Sequence, residues 1–259
     1  MKIVVCIKQV PDTAGEVKFK PDGSLDRAAM PTIMNHDDKA GLEAALRIKD
    51  ELGAEVTVLT MGLPKAEDVL REAMAMGADH AVLVTDRVLG GADTWATSST
   101  LAGALKKMEY DLIITGRQAI DGDTAQVGPQ IAEHLEMPVI SYAQDIKVEG
   151  DSVIVERQYE DRYHVIKAQM PCLITALAEL NHPRYMTPGG IFDAYKKEIT
   201  VWGRADIIVD DANIGLAGSP TKIAKASDKV RKGTGEQVTL DGAEAAEYIV
   251  NKLKEKFVI

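Results

Sequence analysis

The sequence predicts an α/β fold: a three-layer, doubly wound, mainly parallel sheet, extended by antiparallel strands and followed by a C-terminal arm. Three observations predict it. Short runs at residues 3–7 (IVVCI), 56–59 (VTVL), 81–84 (AVLV) and 112–114 (LII) are mostly apolar. They lack the alternation of a half-exposed strand, as expected when helices cover both faces of a parallel sheet. Between them lie stretches of helical length with apolar residues three or four apart. After Pro138 the texture changes to run, turn, run, which marks a hairpin.

The first helix is predicted over residues 37–52, where Gly41, Ala45, Ile48 and Leu52 share one face. A second follows Pro64 and stops at Gly77, a residue suited to the position just past a helix end. Asp93 or Thr94 can cap a third that runs to about Met108. Val127, Ile131 and Leu135 form the stripe of a fourth, entered near Thr124 and closed by Pro138. Residues 139–148 and 152–159 then form a hairpin turning at Gly150. Residues 165–169 and 172–178 complete the antiparallel set, with Pro171 as the break. The domain division expected is 1–195 for the α/β domain and 196–259 for the arm. The arm holds a strand-like piece at 207–209, a loose stretch at 215–220 and a basic run, Lys222, Lys225, Lys229, Arg231 and Lys232. A final amphipathic helix spans about 242–256.

Composition excludes several classes. A formal charge of −10 opposes general nucleic-acid binding. The two cysteines, Cys6 and Cys172, lie far apart in apolar surroundings and read as small buried residues. No run approaches the ~20 apolar residues of a membrane span, and the start is too short for a signal-peptide core, so a cytoplasmic protein is expected. The five histidines show no metal-ligand spacing. There is no G-x-x-x-x-G-K-[ST] loop, no G-x-G-x-x-G after the first strand and no G-x-S-x-G elbow.

Two polar, glycine-bearing segments follow strands, where open α/β sheets bind ligands. Residues 116–128 (GRQAIDGDTAQVG) run from a strand into a helix. The free N–H groups of that helix start can hold a phosphate. Asp121 and Asp123 repel one unless they point away. The same residues also read as a plain capped loop. Residues 89–95 (LGGADTW) resemble the S-G-G-x-D-S loop of ATP pyrophosphatases, yet follow a later strand than that loop does. Asn35, His36, Asp37 and Asp38 read locally as an N-cap with an acidic first turn.

Taken together, these stretches resemble the beta (small) subunit of the electron-transfer flavoprotein family. The resemblance runs through V-x-x-K-Q-V-P-D-T at 5–13, Asn35-x-x-Asp38, M-G-A-D at 76–79 and G-R-Q-A-I-D-G-D at 116–123. It continues through 155–161 (VERQYED), 171–175 (PCLIT) and 181–185 (NHPRY). Arg162, His164 and His182 depart from the residues usual there. The resemblance implies a heterodimer whose alpha subunit carries a redox FAD. It implies an adenine nucleotide held by Cys6 (through its backbone), Asn35, Asp38, Met61, Gly116, Arg117, Gln118, Gly122, Asp123, Thr124, Ala125, Gln126 and Val127. It also implies that residues 184–191 touch acyl-CoA dehydrogenase partners and that the arm packs on the alpha subunit.

Residues 89–98 and 217–221 (AGSPT) resemble the electron-bifurcating branch of the family. That branch implies FAD in place of AMP, with NADH as electron donor and ferredoxin or flavodoxin as second acceptor. Gly91, Ala92, Asp93, Thr94 and Thr97 are then the added cofactor contacts. They are small, and the hydroxyls can hydrogen-bond flavin ring atoms. No side chain is expected to act as acid or base. The alternatives are a non-bifurcating subunit braced by AMP, and a stand-alone nucleotide-binding enzyme.

Overall fold

β-Branched and leucine-rich runs here form strands because helices cover them on both sides, and the chain order sets which strand lies where. The structure is a computed structural model and describes residues 1–12, 31–221 and 235–259. Thr13 and the basic run from Lys222 to Lys232 lie outside the described residues. In chain order the first unit contains β1 (Lys2–Cys6), β2 (Gln9–Pro11), β3 (Thr32–Met34), α1 (His36–Leu52), β4 (Glu55–Met61), α2 (Glu67–Met76), β5 (His80–Val84) and α3 (Thr94–Leu105). It continues with β6 (Leu112–Gly116), α4 (Val127–His134), β7 (Val139–Glu149), β8 (Ser152–Gln158), β9 (Tyr163–Gln169), β10 (Cys172–Ala176), α5 (Pro188–Lys196) and β11 (Thr200–Trp202).

The main sheet has nine strands in the order β11-β5-β4-β1-β6-β10-β7-β8-β9. The seven strands from β11 to β7 are parallel; β8 pairs antiparallel with β7, and β9 antiparallel with β8. β1, β4, β6 and β10 are buried along most of their length, which explains their unbroken apolar runs. One core layer packs Ile3, Val5, Leu112 and Ile114 under Leu42 and Leu46 of α1 and Leu70 of α2. The other packs Val4, Leu59, Ile113 and Leu173 under Leu101 and Leu105 of α3 and Ile131 of α4. Each fully buried Leu or Ile contributes ~1.5–3 kcal/mol relative to exposure. Helices therefore cover both faces of the parallel part.

Two expectations are corrected. Residues 172–178 do not join the antiparallel set: β10 inserts between β6 and β7 and is parallel to both. The texture shift after Pro138 was real, but β10 is as buried as β6, and only partner choice distinguishes the two. Residues 207–209 form no strand. Ile207 is buried against α3, and the Ile208 N–H donates to Gly103 O at 3.0 Å. Two Arg204 nitrogens donate to Ile207 O and Val209 O, holding this coil in place. The strand of this region is β11, which pairs with β5. The compact units are Met1–Ile223 and Ala224–Ile259, and β11 with the coil after it belongs to the first. The second unit contains α6 (Gly242–Glu255), capped by Asp241, whose carboxylate accepts from the Glu244 N–H at 2.9 Å.

No helix among the described residues is long and apolar enough to cross a membrane.

Candidate functional site

From β1 the chain moves outward to β4 and β5, then returns to β6 on the other side of β1. The connection after β1 leads to α1 and the one after β6 leads to α4, on opposite faces. This divergence opens a crevice outside the carboxyl ends of β1 and β6, where open sheets bind ligands. Cys6, Thr115 and Gly116 stand at its base, with Cys6 in register with Thr115.

A polar clasp sets the crevice walls. Asn35 occupies the N-cap position of α1, but its side chain caps nothing. Its Nδ2 donates to Gln118 O at 2.8 Å, and its Oδ1 accepts from the Ile120 N–H at 3.1 Å. Asp38 accepts from the Lys8 N–H at 2.8 Å and the Gly116 N–H at 3.0 Å, tying together the ends of β1 and β6. Asp37 accepts from the N–H groups of Gln118 and Ala178 and lies 3.3 Å from Arg117 Nε. Burial pushes the Asp38 carboxyl up to about 7. Burial raises Asp37 as well, against the opposing pull of Arg117. The expected N-cap with acidic first-turn residues is thus a set of long-range ties between elements that sequence spacing alone cannot bring together.

Residues 116–128 leave β6 across this clasp. The helix begins at Val127 rather than near Thr124, because Asp123 and Ala125 have left-handed φ of 55° and 53°. Among the described residues, the N–H groups of Thr124, Ala125, Gln126, Val127 and Gly128 meet no acceptor. Alternating backbone handedness turns successive amides toward a common concavity suited to an anion. The two acids of the loop are drawn aside: Asp121 pairs with Lys8 Nζ at 2.8 Å, and Asp123 accepts from Gln118 Nε2. α4 starts close to the sheet, where a Cβ on Gly128 would lie 2.6 Å from Thr115 Oγ1 and 2.8 Å from Thr175 Cγ2.

The second glycine-bearing segment meets the first. Thr94 Oγ1 donates to Gln126 Oε1 at 2.9 Å, joining the starts of α3 and α4. Asp93 caps α3 by accepting from the Ala96 N–H, and its other oxygen accepts from the Thr221 N–H at 2.8 Å. The Asp93 N–H donates to Ser219 Oγ at 2.9 Å, and the Leu216 N–H to Gly90 O at 3.0 Å. Residues 215–221 therefore brace residues 90–93 from behind. Gly91 and Ala92 add no bulk, and Thr97 is half-buried on the first turn of α3. Further along the α3–α4 contact, His134 Nε2 lies 3.1 Å from Ser98 Oγ and 3.2 Å from Ser99 Oγ, with Trp95 against its ring.

Known proteins match this chain along its whole length. The pattern of the electron transfer flavoprotein domain matches residues 22–207. The electron transfer flavoprotein subunit beta of Clostridium acetobutylicum is 55% identical over 260 residues, covering 100% of both chains. The caffeyl-CoA reductase-Etf complex subunit CarD of Acetobacterium woodii is 54% identical over 263 residues, again 100% of both. The chain belongs to the electron transfer flavoprotein family, among its beta subunits. A third relative, the acryloyl-CoA reductase electron transfer subunit gamma of Anaerotignum propionicum, is 48% identical over 267 residues with the same full coverage. As a family member of the beta type, the chain serves electron transfer alongside an alpha subunit.

Within this flavoprotein subunit most of the expected residues converge on one edge of the sheet. Cys6 and Met61 end β1 and β4 beside the crevice. Burial pushes the Cys6 thiol up to about 12, so it stays protonated and unreactive. Gly122, Asp123 and Thr124 are exposed at the tip of the loop. Arg117 turns to the α1 side, against Asp37 and the Tyr142 ring. Residues 181–184 are tied to α1: Asn181 Nδ2 donates to Ala40 O at 2.8 Å, and Arg184 makes hydrogen bonds to both oxygens of buried Glu43 and reaches Asp50 at 2.8 Å. Sequence reasoning gave no site role to Lys8, Asp37 or Ser219. Adjacency to Asn35 and Asp38 was the available signal for Asp37; Lys8 and Ser219 lie within motifs of the resemblance, but nothing there points to their partners Asp121 and Asp93, over a hundred residues away.

Proposed function

We propose that the crevice between residues 90–97 and 116–127 holds FAD, and that the chain is the hydride-accepting half of an electron-bifurcating flavoprotein heterodimer. The observation that carries this reading is the junction of the two loops at Thr94 and Gln126, braced by residues 215–221. Bound there, FAD supplies hydride acceptance from NADH and one-electron release, to the alpha-subunit FAD and an acyl-CoA dehydrogenase and to ferredoxin or flavodoxin.

The residues fit such a group. The unpartnered amides at 124–128 and the start of α4 suit a pyrophosphate. Lys8 and Gln118 hold Asp121 and Asp123 off that position. Asn35 and Asp38 act through the backbone: they fix residues 116–120, and through them the loop that takes the phosphates. Gly91 and Ala92 leave room beside α3; the Thr97 hydroxyl offers a donor to a ring edge, and the Thr94 hydroxyl, whose proton goes to Gln126, offers an acceptor. The names of two relatives tie those proteins to reductases of CoA thioesters, which supports an acyl-CoA dehydrogenase as partner here.

The test is nucleotide release from the intact heterodimer purified without added cofactor, with FAD and AMP counted by chromatography after denaturation. Two FAD and no AMP per heterodimer is the expected result. One FAD and one AMP, with the AMP not displaced by added FAD, would reduce this subunit to an AMP-braced structural partner and end the hydride-transfer reading.

A further inference from the structure

Apolar side chains of α3 and α4, Leu101, Leu105 and Ile131 among them, share one core layer. A polar seam runs beside them toward the crevice. Three side chains of the α4 segment stand about one helical turn apart: Gln126, Gln130 and His134. Each meets a hydroxyl of α3. Gln126 Oε1 accepts from Thr94 Oγ1 at 2.9 Å, and Gln130 Oε1 lies 3.2 Å from Ser98 Oγ. His134 Nε2 lies 3.1 Å from Ser98 Oγ and 3.2 Å from Ser99 Oγ. Thr94 and Ser98 are themselves about one turn apart, so the two helices keep step. Ser98 and Ser99 are both buried. Alanine at either position would pack as Ala96, Ala102 and Ala104 do, and would need no hydrogen-bond partner.

Ser98 has a single proton to give. Its shortest contact is Trp95 O, at 2.9 Å. Donated there, the proton ties down the first turn of α3 and leaves the hydroxyl oxygen free to accept from the Gln130 amide or from His134. Ser99 supplies a proton to Nε2 when the ring is neutral. When the ring takes a second proton, Nε2–H donates to the serines instead and the Ser99 hydroxyl turns. Both charge states therefore find partners, and the charged one polarises the chain that ends on Trp95 O. Trp95 is held a second time. Its ring meets the His134 ring edge-on with centroids 4.9 Å apart, and its indole N–H donates to Asn213 Oδ1 at 3.4 Å. The charged groups that bear on the imidazole are Lys106, at the end of α3, and Glu133 on α4. Burial and Lys106 hold His134 below its ordinary value of 6.5, against Glu133.

We propose that His134 is a positioning residue for the flavin site: through Ser98, Ser99 and Trp95 it holds the first turn of α3, and so fixes where the Thr94 and Thr97 hydroxyls stand. The proposal rests on the reading of the crevice as an FAD site. Apolar packing alone leaves two helices free to slide by small amounts, whereas hydrogen bonds at matched spacing fix their register. A flavin's potential follows the hydrogen bonds and charges around its ring, so lost register at Thr94 and Thr97 is read out by the cofactor. A loosened donor at Thr97 disfavours the electron-rich reduced ring. Protonation of His134 acts the other way: it places a positive charge ~12 Å along α4 from Gln126, which favours the reduced flavin. Linkage is reciprocal, so reducing the flavin must raise the midpoint at which His134 titrates.

The test uses the intact heterodimer, with nucleotide content counted on every sample. The reduced-to-oxidised ratio of this chain's flavin is measured at a fixed NADH/NAD⁺ ratio between pH 5 and pH 8, with the two flavins resolved as separate steps of the titration. Parent, His134→Leu and His134→Gln are compared. At pH 8, His134→Leu should keep both FAD and lower the ratio at least about fivefold. His134→Gln, whose amide can meet both serines, should restore most of that ratio. It should also lack the parent's added rise in the ratio at pH values below the His134 midpoint. An unchanged ratio in His134→Leu overturns the proposal. So does a loss that His134→Gln does not rescue, which assigns the histidine to shape alone. A parent with one FAD and one AMP refutes the flavin reading and the proposal with it. Should the variants not fold, the parent decides. Deuterium exchange at the His134 ring carbon between the two nitrogens, followed by peptide mass spectrometry over the same pH range, should give a higher midpoint in the reduced heterodimer than in the oxidised one. Equal midpoints overturn the proposal.

Discussion

Substituting Asp38→Asn sets two effects of similar size against each other, and pH decides which wins. Burial pushes the Asp38 carboxyl up to about 7, from an ordinary value of 3.8. Its folded value lies above its unfolded one, so the protonated acid is the form the fold favours. Its contribution to stability is intact below pH 4 or so and is lost as pH rises through about 7. At ~1.4 kcal/mol per pH unit, a gap of about three units amounts to ~4 kcal/mol by pH 8. The amide carries no charge and escapes that loss. It cannot, however, accept on both sides. One of the N–H groups of Lys8 and Gly116 would face an NH₂ donor, at a cost of ~1–3 kcal/mol at any pH. The variant should therefore be less stable than the parent near pH 4 and more stable at pH 8. The difference between the two should swing by ~4 kcal/mol across the range. Urea unfolding of both proteins, each with its partner subunit, at intervals from pH 4 to pH 8 measures this. Parallel curves would refute the reasoning, because they would mean that Asp38 is not a buried, titrating tie.

Other sites give sharper single outcomes. Thr94→Val removes the donor to Gln126 while keeping the shape, so flavin potentials and NADH-dependent flavin reduction in the heterodimer should change; if neither moves, Thr94 has no part in the proposed site. Arg184→Gln leaves Glu43 buried with Arg47 alone, and should lower stability by ~2–3 kcal/mol, less than the loss of a pair with no second cation. Burial raises Glu43, but the Arg184 hydrogen bonds outweigh it and hold the carboxyl below its ordinary value. The parent's advantage over Arg184→Gln is thus present above the ordinary glutamate range and should shrink as pH falls through the folded value, in urea midpoints taken from pH 7 down to pH 3. Gly215→Ala puts a Cβ against the Val88 carbonyl at a left-handed φ of 57°, and should cost ~2–4 kcal/mol. Hydrogen exchange should rise at residues 215–221 and 88–93 together, and a rise in only one would uncouple the two segments.

What the sequence determined by itself was local or periodic. The buried strands announced themselves through runs such as 3–7 and 112–114, because a strand covered on both faces has no polar side to show. Helix positions followed from apolar spacing, and the hairpin at Gly150 from its turn. The motifs and their order resembled the family closely enough to place the chain among flavoprotein beta subunits. Tertiary structure decided everything that depends on partners far along the chain. β10 is parallel because it enters between β6 and β7, which nothing in residues 172–176 records. Residues 207–209 alternate in burial as an edge strand does, with Ile207 buried and Ile208 exposed, yet lie as coil on α3, since an apolar pattern leaves hydrogen-bond partners open. Asn35, Asp37 and Asp38 look like a helix cap in sequence and are instead bound to residues 8, 116–120 and 178. A carboxylate near a helix start satisfies the same local preference whichever N–H it meets. Only the fold determines which ones come within reach.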